Sequence, residues 1–163
     1  MQASIRPATR ADLPAILEVY NHYVAHSTAT FDLEPRSAEA GTIWLENRSD
    51  RHPVLVATVG DKVVGWASLS PWSHHGGYQN TVELSIYVQP GMTAKGIGSQ
   101  LLRRILEAGE DLGHRCIMAR ISVENDRSRA LHQRNGFEII GIMRQAGEKH
   151  GRLLDVTLLH YLT

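Results

Sequence analysis

The chain has 163 residues, 42% of them apolar, with 17 acidic and 17 basic side chains that cancel at neutral pH. This size and apolar fraction suit one compact enzyme-sized domain with a substantial core. The balanced charge provides no field drawing the chain to nucleic acid or an anionic membrane, and no apolar run approaches the ~20 residues of a membrane span.

The elements alternate between β and α in chain order. A short strand, Ser4 to Pro7, comes first. Thr9-Arg10-Ala11-Asp12 has the pattern of a capping box, and Ile16, Leu17, Tyr20, Tyr23 and Val24 recur at helical spacing, so a first helix follows. Ser37 to Arg48 reads as a second helix. Val54 to Val59 and Lys62 to Ser70 are β runs joined at Gly60-Asp61, which predicts an antiparallel hairpin. Pro71 to Asn80 is a loop rich in Trp, His and Gly, and Thr81 to Val88 is an alternating strand. Leu101, Leu102, Ile105, Leu106 and Leu112 mark one apolar helical face, and Cys116 to Val123 reads as a central strand. Asp126 to Asn135 is a short helix stopped by Gly136, and Phe137 to Met143 and Leu153 to Leu162 supply the last strands. No linker, repeat or low-complexity segment interrupts residues 1–163, and the order predicts an α/β mixed sheet with helices on both faces. The single Cys116 lies in an apolar run and reads as a buried, inert thiol. With no long apolar stretch near Met1, a reducing compartment, the cytoplasm, is the expected location.

After the Thr81 strand, Gln89-Pro90-Gly91 leads into Ala94-Lys95-Gly96-Ile97-Gly98-Ser99 and then a helix. A turn poor in side chains that opens a helix leaves backbone N–H groups unpaired at the positive end of the helix dipole, which suits a phosphate-type anion. The P-loop spacing Gly91-x4-Gly96 is present. Yet Ile97-Gly98 stands where Lys and Ser or Thr are needed to reach terminal phosphates and magnesium. The dinucleotide fingerprint also fails, because Gly96-x-Gly98 is followed by Leu101 in place of a third glycine and no βαβ unit opens there. What remains is a turn that grips a diphosphate mainly through backbone.

Three pieces together resemble the GCN5-related N-acetyltransferase (GNAT) superfamily over nearly the whole chain. They are the Thr81 strand with its Ala94–Ser99 turn, the Asn125-Asp126 strand end, and Ala130-Leu131-His132-Gln133-Arg134-Asn135-Gly136-Phe137. Tyr20-Asn21, Thr28 to Pro35, Asn80-Thr81-Val82-Glu83, and Lys149-His150-Gly151-Arg152 before Asp155 are similar to its branch of phosphinothricin and methionine sulfoximine acetyltransferases. The resemblance implies the GNAT fold, a central, mostly antiparallel sheet with splayed strands. It further implies acetyl-CoA as acyl donor, no metal, a free amine on a small amino-acid-like acceptor, and a homodimer. Carried over by position, Ile86, Tyr87 and Val88 offer strand backbone to the pantetheine arm, and Ala94, Lys95, Gly96, Ile97, Gly98 and Ser99 bind pyrophosphate. Asn125 contacts the coenzyme beyond the splayed strand end, and Arg134 lies near its outer portion. Thr93 departs from the family pattern, which has Gln or Arg there.

Amine acetylation needs a neutral nucleophile, a donor for the carbonyl oxygen and a proton for the departing thiolate. Glu83 shares one strand face with Ser85 and Tyr87, opposite the apolar Val82, Leu84, Ile86 and Val88. It is expected to take the ammonium proton directly or through water, or to bind the ammonium. His132 stands where the wider superfamily has Tyr as the acid for the thiolate and this branch has His, and packing in the core is its other reading. In the branch, the loop before the glutamate strand carries an Arg and an aromatic residue near the acceptor. The matching positions here are Ser73 and His75, with His74 between them, so a carboxylate partner is sought among His75, His74 and Arg152. Phe31, Leu84 and Ser85 complete the expected acceptor site, with Trp72 and Tyr78 as further walls and Leu153 where relatives have Trp. The alternatives are a peptide or protein amine as acceptor, and a non-catalytic acetyl-CoA-binding module. The nine histidines show no zinc-type spacing.

Overall fold

The strands are β1 (Ser4–Pro7), β2 (Val54–Val59), β3 (Lys62–Pro71), β4 (Thr81–Val88), β5 (Cys116–Ser122), β6 (Glu138–Lys149) and β7 (Arg152–Leu162), with β2 and β3 buried along continuous runs and β4 alternating. Helical spacing builds α1 (Leu13–His26), α2 (Ala38–Glu46), α3 (Ile97–Asp111) and α4 (Asp126–Arg134). The structure, a computed structural model, describes residues 1–163, and its strands form one sheet in the order β1-β2-β3-β4-β5-β7-β6. Every neighbouring pair is antiparallel except β4 and β5. These two pair only over Thr81–Glu83 and Cys116–Met118 and then part, which opens the sheet at its middle.

The alternation in β4 sorts its side chains between two cores. Val82 and Leu84 join Leu69, Ile117 and the buried stripe Leu101, Leu102 and Ile105 of α3. On the other face, Ile16, Val19, Tyr20 and Val24 of α1 pack against Val56 and Trp66. Leu101 has no exposed surface, so truncation to alanine costs about 2–5 kcal/mol. The Thr9–Asp12 capping box is present at the entry to α1. Buried Asp12 accepts from two Arg6 nitrogens at 2.7 Å each and from the Thr9 N–H at 2.7 Å. The Arg6 guanidinium is the main reason its carboxyl is held down at about 2.

Two boundaries differ from the sequence reading. Ser37 caps α2, accepting from the Ala40 N–H at 3.1 Å, and the helix ends at Glu46, short of Arg48. The Arg48 guanidinium instead binds the carbonyls of His52 and Leu69, so tertiary acceptors draw it out of the helix. Strand β6 runs on to Lys149, past Met143. A bulge between Met143 and Gly147, with Gln145 at φ 53°, breaks the period-two pattern that would have revealed the continuation. No helix is long and apolar enough to cross a membrane.

Candidate active site

The turn before α3 is built from left-handed backbone. Gly96 has φ 83° and Ala94 has φ 63°, and Gly96 caps α3 without any side-chain acceptor. Glycine meets that φ without the Cβ clash that strains other residues. The first helical hydrogen bond runs from the Gln100 N–H to the Gly96 carbonyl at 3.1 Å. The N–H groups of Ile97, Gly98 and Ser99 therefore have no helical acceptor and lie at the positive end of a 15-residue helix. A cavity of about 550 Å³ opens on this turn, lined by Thr93, Ala94, Gly96, Gly98 and Ser99 on one side and by Asn125, Ser128, Leu131 and Arg134 on the other. The structure does not bring two of the expected side chains to it. Ile97 is fully buried in the core, and Lys95 points its ammonium at the Met92 sulfur, 3.6 Å away. Their share in an anion site is confined to backbone.

The parting of β4 from β5 frees one edge of β4. The Thr81 carbonyl accepts from the Trp72 N–H, and the Gln89 N–H donates to the Val64 carbonyl, so odd-numbered residues of β4 bond toward β3. In an antiparallel ladder the even-numbered Leu84, Ile86 and Val88 then turn their N–H and C=O groups toward the gap. The Val88 carbonyl is already engaged by the Tyr23 hydroxyl at 2.6 Å. Of the three residues expected to offer backbone, Ile86 is the one with both groups free on that edge. Tyr87 contributes a half-buried side chain, whose phenol is pushed well above the ordinary tyrosine range mainly by desolvation.

A second cavity of about 620 Å³ begins where β4 and β5 separate, and its lining includes Glu83, Leu84, Ser85, Phe31, Arg120 and His132. Ala29, Ile86, Tyr87, Asn125 and Ser128 line both cavities, so the two meet at the free edge of β4. One wall is the segment between α1 and α2. The buried Lys149 ammonium donates to the Thr30 carbonyl at 2.7 Å, Asn21 brackets Arg36 at 2.8 and 2.9 Å, and Tyr20 bonds both Thr30, at 2.9 Å, and Asp32. Burial is the main reason the Tyr20 phenol is pushed up to about 12, with the Asp32 hydrogen bond adding to it. The Phe31 ring lies on Gly147, where a Cβ would stand 2.2 Å from it.

Glu83 does not stand alone. Both its oxygens accept from Arg120 at 2.6 Å, in a bidentate pair across β4 and β5. The Glu83 side chain is 21% exposed and that of Arg120 is 52% exposed. The carboxylate is the first cause raising the Arg120 pKa.

His132 is 2% exposed and burial lowers its pKa, so the ring is neutral near pH 7. Its Nδ1 lies 2.8 Å from the Ser128 carbonyl, which can only accept. Nδ1 therefore carries the proton and Nε2 the lone pair. In that form the outer nitrogen accepts a proton and gives none, contrary to the acid role expected from the resemblance. Asn125 caps α4, its Oδ1 accepting from the Ser128 N–H at 3.1 Å, which leaves its amide NH2 as the part available to a ligand.

Ser73, His74 and His75 line neither cavity. Their loop lies before Thr81, beside the paired stretch of β4 and β5, whereas the cavity opens only past Glu83. Arg152 is also elsewhere, paired with Glu124 at 2.5 Å. Trp72 lies beside the Arg120 guanidinium, 5.7 Å from ring centre to Cζ, while Tyr78 is exposed and lines neither cavity. Sequence reasoning missed Arg120, whose signal was an arginine interrupting the apolar run Cys116-Ile117-Met118-Ala119 of a central strand. It also missed the Lys149–Thr30 tether, for which no local pattern exists. No three His, Cys, Asp or Glu side chains gather as a metal site requires.

The profile of the acetyltransferase (GNAT) family matches residues 16–137. The chain is 40% identical over 161 residues to an L-methionine sulfoximine/L-methionine sulfone acetyltransferase of Pseudomonas aeruginosa, covering 98% of this chain and 94% of the relative. It is 40% identical over 152 residues to a phosphinothricin N-acetyltransferase of Streptomyces viridochromogenes, covering 93% and 83%. A solved phosphinothricin acetyltransferase from Sinorhizobium meliloti in complex with acetyl-CoA superposes with a TM-score of 0.95 at 34% identity, over 99% of this chain and 89% of that one.

Proposed function

The chain belongs to the acetyltransferase (GNAT) family and is an acetyl-CoA-dependent N-acetyltransferase, and we propose that its acceptor is a small amino-acid-like amine of the methionine sulfoximine, methionine sulfone or phosphinothricin type. The observation that carries this reading is the meeting of the two cavities at Ala29, Ile86, Tyr87, Asn125 and Ser128, with helix-start donors at one end and Glu83 at the other. A long anionic donor and a compact amine entering from opposite ends come together at that point. The acceptor end, walled on one side by a tethered loop, suits a small molecule better than a polypeptide.

The residues present fit acetyl-CoA. The N–H groups of Ile97, Gly98 and Ser99 would hold its pyrophosphate, the free edge at Ile86 its pantetheine arm, and Asn125 and Arg134 its flanks. Bound acetyl-CoA supplies the thioester acyl group that a neutral amine attacks. Glu83 holds the incoming ammonium and takes its proton directly or through one water, which general base catalysis makes worth about 10²–10⁴ in rate. The Ile86 N–H stands on the gap side, where it donates to oxygen charge as it develops. His132, neutral and bonded to Ser128, fixes the start of α4 and is no proton donor in that form; the proton released at nitrogen serves the thiolate.

Outer strand β6 exposes Ile139, Ile140 and Ile142, and β7 exposes Leu153, each at 47% or more. A second copy across this edge would cover them, which supports the reading as a homodimer. The unpaired Cys116, its pKa raised by burial, accords with a reducing cytoplasm. The test is thiol release from acetyl-CoA with methionine sulfoximine, methionine sulfone, phosphinothricin, free amino acids, polyamines and short peptides. Release with the amino-acid-like acceptors is expected, and release with peptides alone would overturn the substrate class.

A further inference from the structure

Every charged group that lines the acceptor cavity is acidic except one. Asp32, Glu83 and Glu148 are the acids, and Arg120 is the sole permanent cation. Asp32 is engaged by Tyr20, with Arg36 3.7 Å away. Arg120 and Glu83 satisfy each other through two 2.6 Å contacts, so at the end of the cavity away from the coenzyme one full positive and one full negative charge stand side by side. An α-amino acid carries the same two charges on adjacent carbons. The geometry points to Arg120 as the residue that recognises the acceptor's carboxylate, so that Glu83 and Arg120 together form a two-point receptor for a zwitterion.

The exchange is balanced in charge. Before binding, the carboxylate of Glu83 faces the guanidinium of Arg120. After binding, Glu83 faces the acceptor's ammonium and the guanidinium faces the acceptor's carboxylate, so no charge is left unpaired. A guanidinium presents two parallel N–H donors that match a carboxylate in one plane, which a lone histidine cannot do. Releasing the internal pair costs little, because the Arg120 side chain is 52% exposed and water screens and replaces its contacts. The Trp72 ring, 5.7 Å from the guanidinium, limits where it can swing. The internal pair also gives the empty cavity a defined state in which Glu83 is covered until an acceptor displaces Arg120. An amine without a carboxylate has nothing to offer Arg120 and leaves that pair standing, so selectivity for amino acids over plain amines is built into the same contact.

This assignment rests on the proposed amino-acid-like acceptor class, and the test separates the two. Initial rates are measured with methionine sulfone and with its primary carboxamide, which keeps the amine and side chain but has no charge at the acid. The wild type is expected to prefer the acid by about a hundredfold in kcat/KM, a difference of about 2.7 kcal/mol. In Arg120→Ala the acid loses about that factor while the amide changes by less than about threefold, so the preference collapses. Arg120→Lys recovers part of it, and the acetyl-CoA KM of both variants reports that the fold is intact. If Arg120 merely steadies Glu83, acid and amide fall together and the assignment is wrong. An unchanged preference in Arg120→Ala is equally fatal to it. A wild type inactive on every amino acid brings down the substrate class itself, whatever the variants do.

Discussion

Replacing Gly147 by alanine tests whether Phe31 and the loop behind it form a fixed wall of the acceptor cavity. Gly147 is buried on β6 opposite Leu154, and a Cβ there would stand 2.2, 2.5 and 2.7 Å from three carbons of the Phe31 ring. These separations lie far inside van der Waals contact, so the ring must move. Its backbone cannot simply retreat, because Lys149 holds the Thr30 carbonyl at 2.7 Å and Asn21 holds Arg36 at 2.8 and 2.9 Å. The ring therefore turns toward the cavity it lines. Overpacking of this kind costs about 1–3 kcal/mol, which for a chain of this length lowers Tm by roughly 3–9 °C. Acceptor KM should rise about tenfold, the equivalent of about 1.4 kcal/mol. The acetyl-CoA KM should hold, since neither Phe31 nor Gly147 lines the coenzyme cavity. Adding Phe31→Ala removes the clash, and the double variant should unfold at a higher temperature than additivity allows. Thermal unfolding and two-substrate kinetics on the three variants suffice. A Gly147→Ala protein with unchanged Tm and unchanged acceptor KM would refute the fixed wall.

Three further outcomes are expected. Glu83→Gln should cost about 1 kcal/mol of stability, because the Arg120 side of the pair is half open to solvent, yet lower turnover at least about tenfold. Equal turnover at every pH would remove Glu83 from the mechanism. His132→Phe should retain turnover within about threefold, because a neutral ring with its proton on Nδ1 donates nothing outward; a loss of about a hundredfold, together with a wild-type rate that falls as pH rises past 6–7, would restore it as the acid. Asp12 has a folded pKa of about 2 against an ordinary 3.8, so its contribution to stability is fully present above about pH 4 and is lost as pH falls toward 2. With Arg6 partly exposed, that contribution is about 1–2 kcal/mol. Denaturant titrations between pH 2 and 6 should show Asp12→Asn with a flatter acid limb, and parallel limbs would count against the pairing.

The elements that repeat a local rule were legible in the chain itself. The α1 and α3 stripes, the Gly60-Asp61 hairpin, the Thr9–Asp12 box and the Gly96 helix start all follow from spacing, capping and backbone freedom, and all stand in the structure within a few residues of their expected ends. The resemblance carried the order of β4, the phosphate-type turn and α4, and hence the expectation of two ligands meeting on one strand. What spacing could not convey was where a loop stops short of the cavity. Ser73, His74 and His75 matched by position, yet the paired section of β4 and β5 separates them from the opening beyond Glu83.

By itself the sequence determined the alternation of strands and helices, the polar face bearing Glu83, and a helix start stripped of side chains, because each depends on residues near one another along the chain. Only the tertiary structure decided that β4 and β5 part after three paired residues, that Arg120 reaches Glu83 across 37 positions, and that Lys149 ties down Thr30 across 119. These are meetings of distant segments, fixed by the sheet order and by burial on both of its faces. A buried ammonium or a cavity carboxylate must find a partner wherever the fold delivers one, and no local pattern records where that is.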